Sequence, residues 1–236
     1  MNFPPVILSL GLPRSGSTWV YNAARLLLNN SDKRYQQYFS DSLSNIQNIT
    51  SESDSLFLVK SHTADMELRD AAILNGKPIL ISVRDPRDAV ASAVAFTKAR
   101  FEVMLDLICS SAEIILSCIE YDCALTFRYE DAYMENPATI ASIAKALGIA
   151  PDARVFANIF AVLRADAVRE EISRSIEDGI FGPNPDSSKF DPVSQWHPNH
   201  IADGRVGKFV DMLTPDQVME VSRRLEKFMT RFYPES

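Results

Sequence analysis

The run Gly11-Leu12-Pro13-Arg14-Ser15-Gly16-Ser17-Thr18 has the spacing G-x-x-x-x-G-x-[ST] of a loop whose backbone amides surround a phosphate. Its glycines let the backbone curl so that amides and the N-terminus of a following helix converge on one anion. Where a nucleoside-triphosphate loop carries a lysine this chain has Ser17, and the available cation is Arg14 at the loop apex. The spacing therefore predicts a site for an anion shorter than a triphosphate. Three further polar clusters each follow an apolar run: Lys60-Ser61-His62, Arg84-Asp85-Pro86-Arg87-Asp88 and Arg128-Tyr129-Glu130-Asp131. Together they offer cations, hydroxyls and a histidine, the equipment for holding an anionic group and moving a proton.

The elements that must position these residues follow from the apolar pattern. Short β-branched or apolar runs at 6–10, 56–59, 78–83 and 124–129 read as buried strands, and helical periodicity runs through Trp19, Val20, Ala23, Ala24 and Leu27 and fills 64–74, 86–98, 101–119 and 137–147, with Gly148 as a C-cap. This alternation predicts a single α/β domain over 1–236, a three-layer α/β/α arrangement around a mainly parallel sheet, like that of P-loop nucleotide-binding proteins. All four polar clusters then lie at the carboxyl edge of the sheet, where open α/β sheets bind ligands. The polar stretch 29–55 reads as a connection, 153–176 as one long amphipathic segment, and 178–211 as a loop. Thr214-Pro215-Asp216 opens a last helix carrying Arg223, Arg224 and Lys227, a stripe that a homodimer face could use.

Composition narrows the partners. With 24 basic against 31 acidic residues the net charge is −7, so no general positive field draws in nucleic acid, and any anion is held by a few placed cations. Three cysteines, Cys109, Cys118 and Cys123, lack metal-pair spacing and read as reduced core thiols of a cytoplasmic protein. No leader-like start or membrane-length apolar run is expected, and no metal is expected.

The segment Pro13 to Trp19 resembles the 5′-phosphosulfate loop of the sulfotransferases that use 3′-phosphoadenosine 5′-phosphosulfate (PAPS) and release 3′-phosphoadenosine 5′-phosphate (PAP). Arg84-Asp85-Pro86-Arg87-Asp88-Ala89-Val90-Ala91-Ser92 resembles their 3′-phosphate motif, an arginine at a strand end and a serine eight residues on. Lys60-Ser61-His62 and Tyr129-Glu130-Asp131 are similar to two further segments of that family. The resemblance implies that Arg14 and the amides of Ser15, Gly16, Ser17 and Thr18 take the 5′-phosphosulfate, that Trp19 stacks on the adenine and that Tyr129 lies beside it. It implies Arg84 and Ser92 on the 3′-phosphate, His62 as the general base toward a small-molecule acceptor, and Lys60 as a support for charge on the transferring group. A histidine titrating near neutrality suits that role.

Two departures stand out. Arg14 replaces the lysine of the cytosolic enzymes, so it stabilises charge without donating a proton. The late basic pair before a glycine is missing, and Gly204 with Arg205 or Lys208 is left to complete the 3′-phosphate site. Asp88 and Arg87 read as surface charges near a helix start, and His197 and His200 as lid or acceptor-side residues. Phe96, Phe101, Phe156 and Phe160 suggest some apolar lining. The rival readings are a small-molecule kinase, with Asp85 as a magnesium-binding acid, and a catalytically silent nucleotide-binding module.

Overall fold

The computed structural model describes residues 3–47, 56–182, 188–201 and 203–235. Five strands, β1 (Val6–Gly11), β2 (Tyr35–Phe39), β3 (Leu56–Ser61), β4 (Ile79–Val83) and β5 (Ala124–Arg128), form one all-parallel sheet in the order β2-β3-β1-β4-β5. The central strand alternates its side chains between two cores, as period-2 geometry requires. Val6, Leu8 and Leu10 pack on one face with α3 (Met66–Leu74), α4 (Pro86–Thr97) and α5 (Phe101–Cys118). Ile7, with Leu58 and Leu80, packs on the other with α1 (Ser17–Asn29) and α6 (Pro137–Leu147). Three α/β layers result, as expected.

Helix boundaries follow local chemistry. Asp85 caps α4 by accepting from the Arg87 amide at 2.9 Å while Pro86 fills the first helical position, and Gly148 closes α6 in the left-handed region. Thr214 and Gln217 form a reciprocal capping box at the start of α10 (Pro215–Arg224).

The structure corrects four expectations. The stretch 29–55 was expected to connect, yet it contains the edge strand β2 and the short α2 (Leu43–Gln47); residues 48–55 lie outside the described residues. β2 pairs with β3 alone, and its sequence Tyr-Gln-Gln-Tyr-Phe stays half-exposed, so it carries no apolar run. The segment 153–176 is two helices, α7 (Ala153–Val162) and α8 (Ala165–Glu177), because the chain turns at Leu163, whose carbonyl accepts from Trp19 Nε1 at 3.0 Å. The final basic helix breaks at the buried Leu225, leaving Lys227 on α11 (Glu226–Phe232). Its stripe is internally paired: Arg223 contacts Glu220 and Arg224 contacts Asp106, each at 2.8 Å. The loop from 178 ends in one turn, α9 (Phe209–Met212).

Candidate active site

The strand-to-helix loop after β1 is locked from beneath. The Leu12 amide donates to Ser82 O at 2.9 Å, Ser15 Oγ meets Ser82 Oγ at 2.9 Å, and Tyr133 Oη donates to Ser15 O at 2.8 Å. Gly16 adopts φ +84°, and a Cβ there would collide with the Tyr133 hydroxyl, so both conformation and space demand glycine. Gly16 is the N-cap of α1, and no side chain caps that helix, which leaves its positive end and the buried Ser17 and Thr18 facing the loop. Arg14, at φ +68°, stands at the apex. Its Nε donates to Ser92 Oγ at 3.2 Å, its Nη2 donates to His200 O at 3.3 Å, and its guanidinium lies 4.2 Å from the Phe96 ring centroid. Burial and then the nearby Arg84 lower its pKa to about 10.

The end of β3 carries Lys60 and His62. Lys60 is 4% exposed, its Nζ lies 5.2 Å from the Phe39 ring centroid, and burial followed by Arg14 lowers its pKa to about 7. His62 Nδ1 is 2.5 Å from Gly11 O, and since a carbonyl only accepts, Nδ1 carries the hydrogen and Nε2 is the lone-pair nitrogen. The expectation of titration near neutrality is corrected: desolvation, then Lys60, lowers the imidazole to about 4, so it is neutral at pH 7. The turn bearing it is clamped by Asp41, whose Oδ1 accepts from Ser61 Oγ at 2.5 Å, the Thr63 amide at 3.1 Å and the His62 amide at 3.3 Å. Asp41 was invisible to sequence reasoning because nothing in the polar stretch around it marked a strand end.

At the end of β4, Arg84 is 3% exposed and stacks 4.2 Å from the Tyr129 ring centroid. Nη1 donates to Arg14 O at 3.2 Å, Nη2 to Arg205 O at 2.9 Å, and Nε is buried with no partner among the described residues. A buried guanidinium N–H without an acceptor costs free energy, which an incoming anion would recover. Asp88 is not a surface charge: it is fully buried, pairs with Arg84 at 3.4 Å, and accepts from the Gly207 amide at 2.7 Å and the Phe209 amide at 3.0 Å. It ties the late 203–209 strap to α4. Arg87 bonds Asp85 at 2.6 Å and covers the Phe209 ring at 4.5 Å, so Asp85, taken as a magnesium ligand in the kinase reading, is spent on its neighbour.

The strap completes the rim. Tyr129 Oη donates to Gly204 O at 3.2 Å. Of the two cations expected there, Arg205 turns its carbonyl to the rim while its side chain is 53% exposed and paired with Asp211 at 2.7 Å, whereas Lys208 is 8% exposed and 3.4 Å from Asp203. Ala202 lies outside the described residues. Trp19 is 4% exposed, with its ring edge-on to Tyr133, so it packs as core rather than presenting an open stacking face. Of the four phenylalanines expected as lining, Phe96 reaches the site, whereas Phe101, Phe156 and Phe160 pack against the two cores. The structure thus gathers Arg14, Lys60, His62, Arg84, Ser92 and Tyr129 at one sheet edge, as the four polar clusters predict.

The fold recurs among solved proteins. A mouse sulfotransferase, SULT7A1, complexed with PAP matches with a TM-score of 0.66 at 14% identity, over 97% of this chain and 84% of that one. Retinol dehydratase in complex with retinol and PAP matches with a TM-score of 0.64 at 13% identity, over 96% and 82% of the two chains. The same protein in complex with androsterone and inactive cofactor PAP matches with a TM-score of 0.61 at 12% identity, over 95% and 80%. Among curated proteins no match was found. No helix among the described residues is long and apolar enough to cross a membrane. The family comparison is more specific than the fold: a sulfotransferase domain matches residues 4–232, nearly the whole length, and the chain belongs to the sulfotransferase domain family.

Proposed function

We propose that the protein transfers a sulfuryl group from PAPS to a hydroxyl or amine of a small-molecule acceptor, with His62 as general base. The observation that carries this reading is the tautomer of His62: Nδ1–H is held by Gly11 O, so the lone pair on Nε2 is available beside Lys60, Arg14 and the uncapped start of α1. Sulfuryl transfer asks for in-line positioning and for cations around the leaving oxygen, so positioned side chains supply most of what is needed.

The residues fit the nucleotide. The loop amides at 15–18 and Arg14 suit the 5′-phosphosulfate, and the orphaned Nε of Arg84 with Ser92 suits the 3′-phosphate. Gly204 gives close backbone approach, Lys208 adds charge, and Tyr129 flanks the adenine. PAPS supplies the activated sulfur. His62 takes the acceptor proton, Lys60 steadies negative charge on the transferring oxygens, and Arg14 and Lys60 together stabilise the phosphate oxygen from which the sulfur departs. The free thiols of Cys109, Cys118 and Cys123, each raised in pKa by burial, suit a reducing cytoplasm.

The test is calorimetric binding of PAP, of its analogue lacking the 3′-phosphate, and of ATP with magnesium, followed by turnover of the His62→Ala variant. Expected are tight PAP binding that collapses without the 3′-phosphate and in Arg84→Ala, and a His62→Ala variant that binds PAP but does not turn over. A preference for ATP with magnesium would refute the assignment in favour of a kinase, and a His62→Ala variant of normal activity would remove the base.

A further inference from the structure

The corner between β2 and α2 holds the turn after β3 through a single oxygen. Asp41 Oδ1 accepts from three consecutive residues: Ser61 Oγ at 2.5 Å, the His62 amide at 3.3 Å and the Thr63 amide at 3.1 Å. Burial would raise the pKa of this carboxyl, but the Ser61 hydroxyl and then the Thr63 and His62 amides more than offset it, so the group lies below its usual range and is ionised at pH 7. The arrangement is not a helix cap. α3 is capped by its own Asp65, whose side chain accepts from the Leu68 amide at 2.8 Å, and the three donors to Asp41 all precede that helix. The path of the chain does not depend on the Asp41 side chain either. Backbone bonds tie the corner to its neighbours, with the Ser40 amide donating to Lys60 O at 3.1 Å and the Asp65 amide donating to Asp41 O at 2.7 Å. What the carboxylate adds is a fixed peptide at residue 62, from which the imidazole reaches Gly11 O at 2.5 Å.

Resting on the sulfotransferase reading above, we propose that Asp41 is the positioning residue of the base: it holds the 61–63 turn so that His62 keeps its proton on Nδ1 and its lone pair on Nε2, and it supplies the negative charge that favours proton uptake there. Asp41 bonds the turn rather than the groups that receive the nucleotide, so it acts through His62. Misplacing a reacting group by about 1 Å can cost about a hundredfold in rate, and a turn freed from its carboxylate would let the Nδ1–H leave Gly11 O and the proton exchange between the two nitrogens. The charges around the imidazole come from several elements. Lys60 on β3 and Arg14 in the loop after β1 oppose its protonation, His200 faces it from the late segment, the Phe39 ring meets it from β2, and Asp41 favours the imidazolium. Asp41 is itself an exposed residue, so its replacement opens no core cavity and its charge is partly screened.

The experiment is nitrogen NMR of the imidazoles in the full chain, with and without PAP, for the parent, Asp41→Ala and Asp41→Asn. His62→Ala assigns the signal, and PAP calorimetry and urea unfolding are run alongside. The parent should show one tautomer near neutral pH, with Nδ1 protonated and Nε2 bare. Asp41→Ala should give a signal averaged between the two tautomers while binding PAP within about threefold of the parent. Asp41→Asn keeps an acceptor oxygen without the charge, so it should restore the single tautomer and, with PAP bound, titrate about 0.5 lower in pH than the parent. A single Nδ1–H tautomer retained in Asp41→Ala overturns the positioning role, as does a parent whose Nδ1 is bare. An Asp41→Asn titration equal to that of the parent overturns the role of the charge. An Asp41→Ala chain that does not fold contradicts the backbone argument and leaves Asp41→Asn to judge the charge alone. Failure of the parent to bind PAP would instead refute the sulfotransferase reading, and the tautomers read without PAP would still judge the clamp.

Discussion

Replacing Asp88 by alanine tests whether the late strap and the Arg84 anchor are held by one buried carboxylate. Asp88 is fully buried, and its two oxygens take the amides of Gly207 and Phe209 at 2.7 and 3.0 Å and the Arg84 guanidinium at 3.4 Å. Asp88→Ala leaves a buried guanidinium unpaired, a loss of about 3–5 kcal/mol, and two amide donors without an acceptor. These losses overlap, since all three groups share one carboxylate, so we expect about 4 kcal/mol in total. For a chain of this size that lowers Tm by about 8–16 °C. Asp88→Asn keeps one acceptor oxygen and should lose about half as much. Urea unfolding gives the stability, and calorimetry with PAP gives the consequence at the site. A strap no longer tied to α4 and an Arg84 no longer oriented should weaken PAP at least about tenfold, equivalent to 1.4 kcal/mol. An Asp88→Ala protein that loses less than about 1 kcal/mol and binds PAP as the parent does would refute the argument.

Two electrostatic predictions accompany it. Lys60 falls from 10.5 to about 7 in the folded chain, so between these values the unfolded chain holds a proton that the folded one has released, and stability rises with pH across that window. Lys60→Met should flatten the rise in urea midpoints measured across about pH 7 to 10, and a parent protein with no such rise would contradict the buried lysine. His62, held at about 4 by desolvation and by the Lys60 and Arg14 charges, should titrate at higher pH once PAP adds its phosphates nearby. With only three histidines in the chain, nitrogen NMR of the imidazoles resolves this directly, and a His62 titration unmoved by saturating PAP would refute the electrostatic account.

Much of this was legible in the sequence where burial is complete and local. Strands β1, β3 and β4 announce themselves as apolar runs because parallel strands covered on both faces need little polar alternation, and the edge strand β5 shows itself by its short run Ala-Leu-Thr-Phe. The polar residues that follow them could be placed on one rim for the same reason. β2 was not legible, since an edge strand of tyrosine and glutamine paired on one side has no pattern to display. With it went Phe39 and Asp41, which buttress Lys60 and His62 from that edge. Asp88 was misjudged for a different cause: its partners are backbone amides about 120 residues away, and no helix-local rule counts them. Arg205 and Lys208 could not be ranked from spacing, because exchange between a buried and an outward cation depends on where Asp203 and Asp211 sit.

One physical cause links the cations, the lowered pKa values of Arg14 and Lys60, and the strap. The chain carries a net charge of −7, yet Arg14, Lys60 and Arg84 converge with Lys60 and Arg84 almost wholly buried, and among the described residues only Asp88 contributes a contacting carboxylate. Positive groups brought together in low dielectric are unfavourable unless partial or full negative charge meets them. In this structure the negative ends are carbonyl oxygens: His200 O on Arg14, Arg14 O and Arg205 O on Arg84, and Gly204 O on the Tyr129 hydroxyl beneath it. Neutral dipoles offset less than phosphates do, and burial first, with the neighbouring cations second, leaves a depressed lysine and an imidazole of low basicity. On the proposed function an anionic nucleotide would therefore gain more than contact on entering: it would relieve the repulsion among the groups that receive it and raise the basicity of His62. On the function proposed above, affinity for the donor and competence of the base are then two consequences of the same buried charge, which would favour binding of the nucleotide before the acceptor's proton is taken.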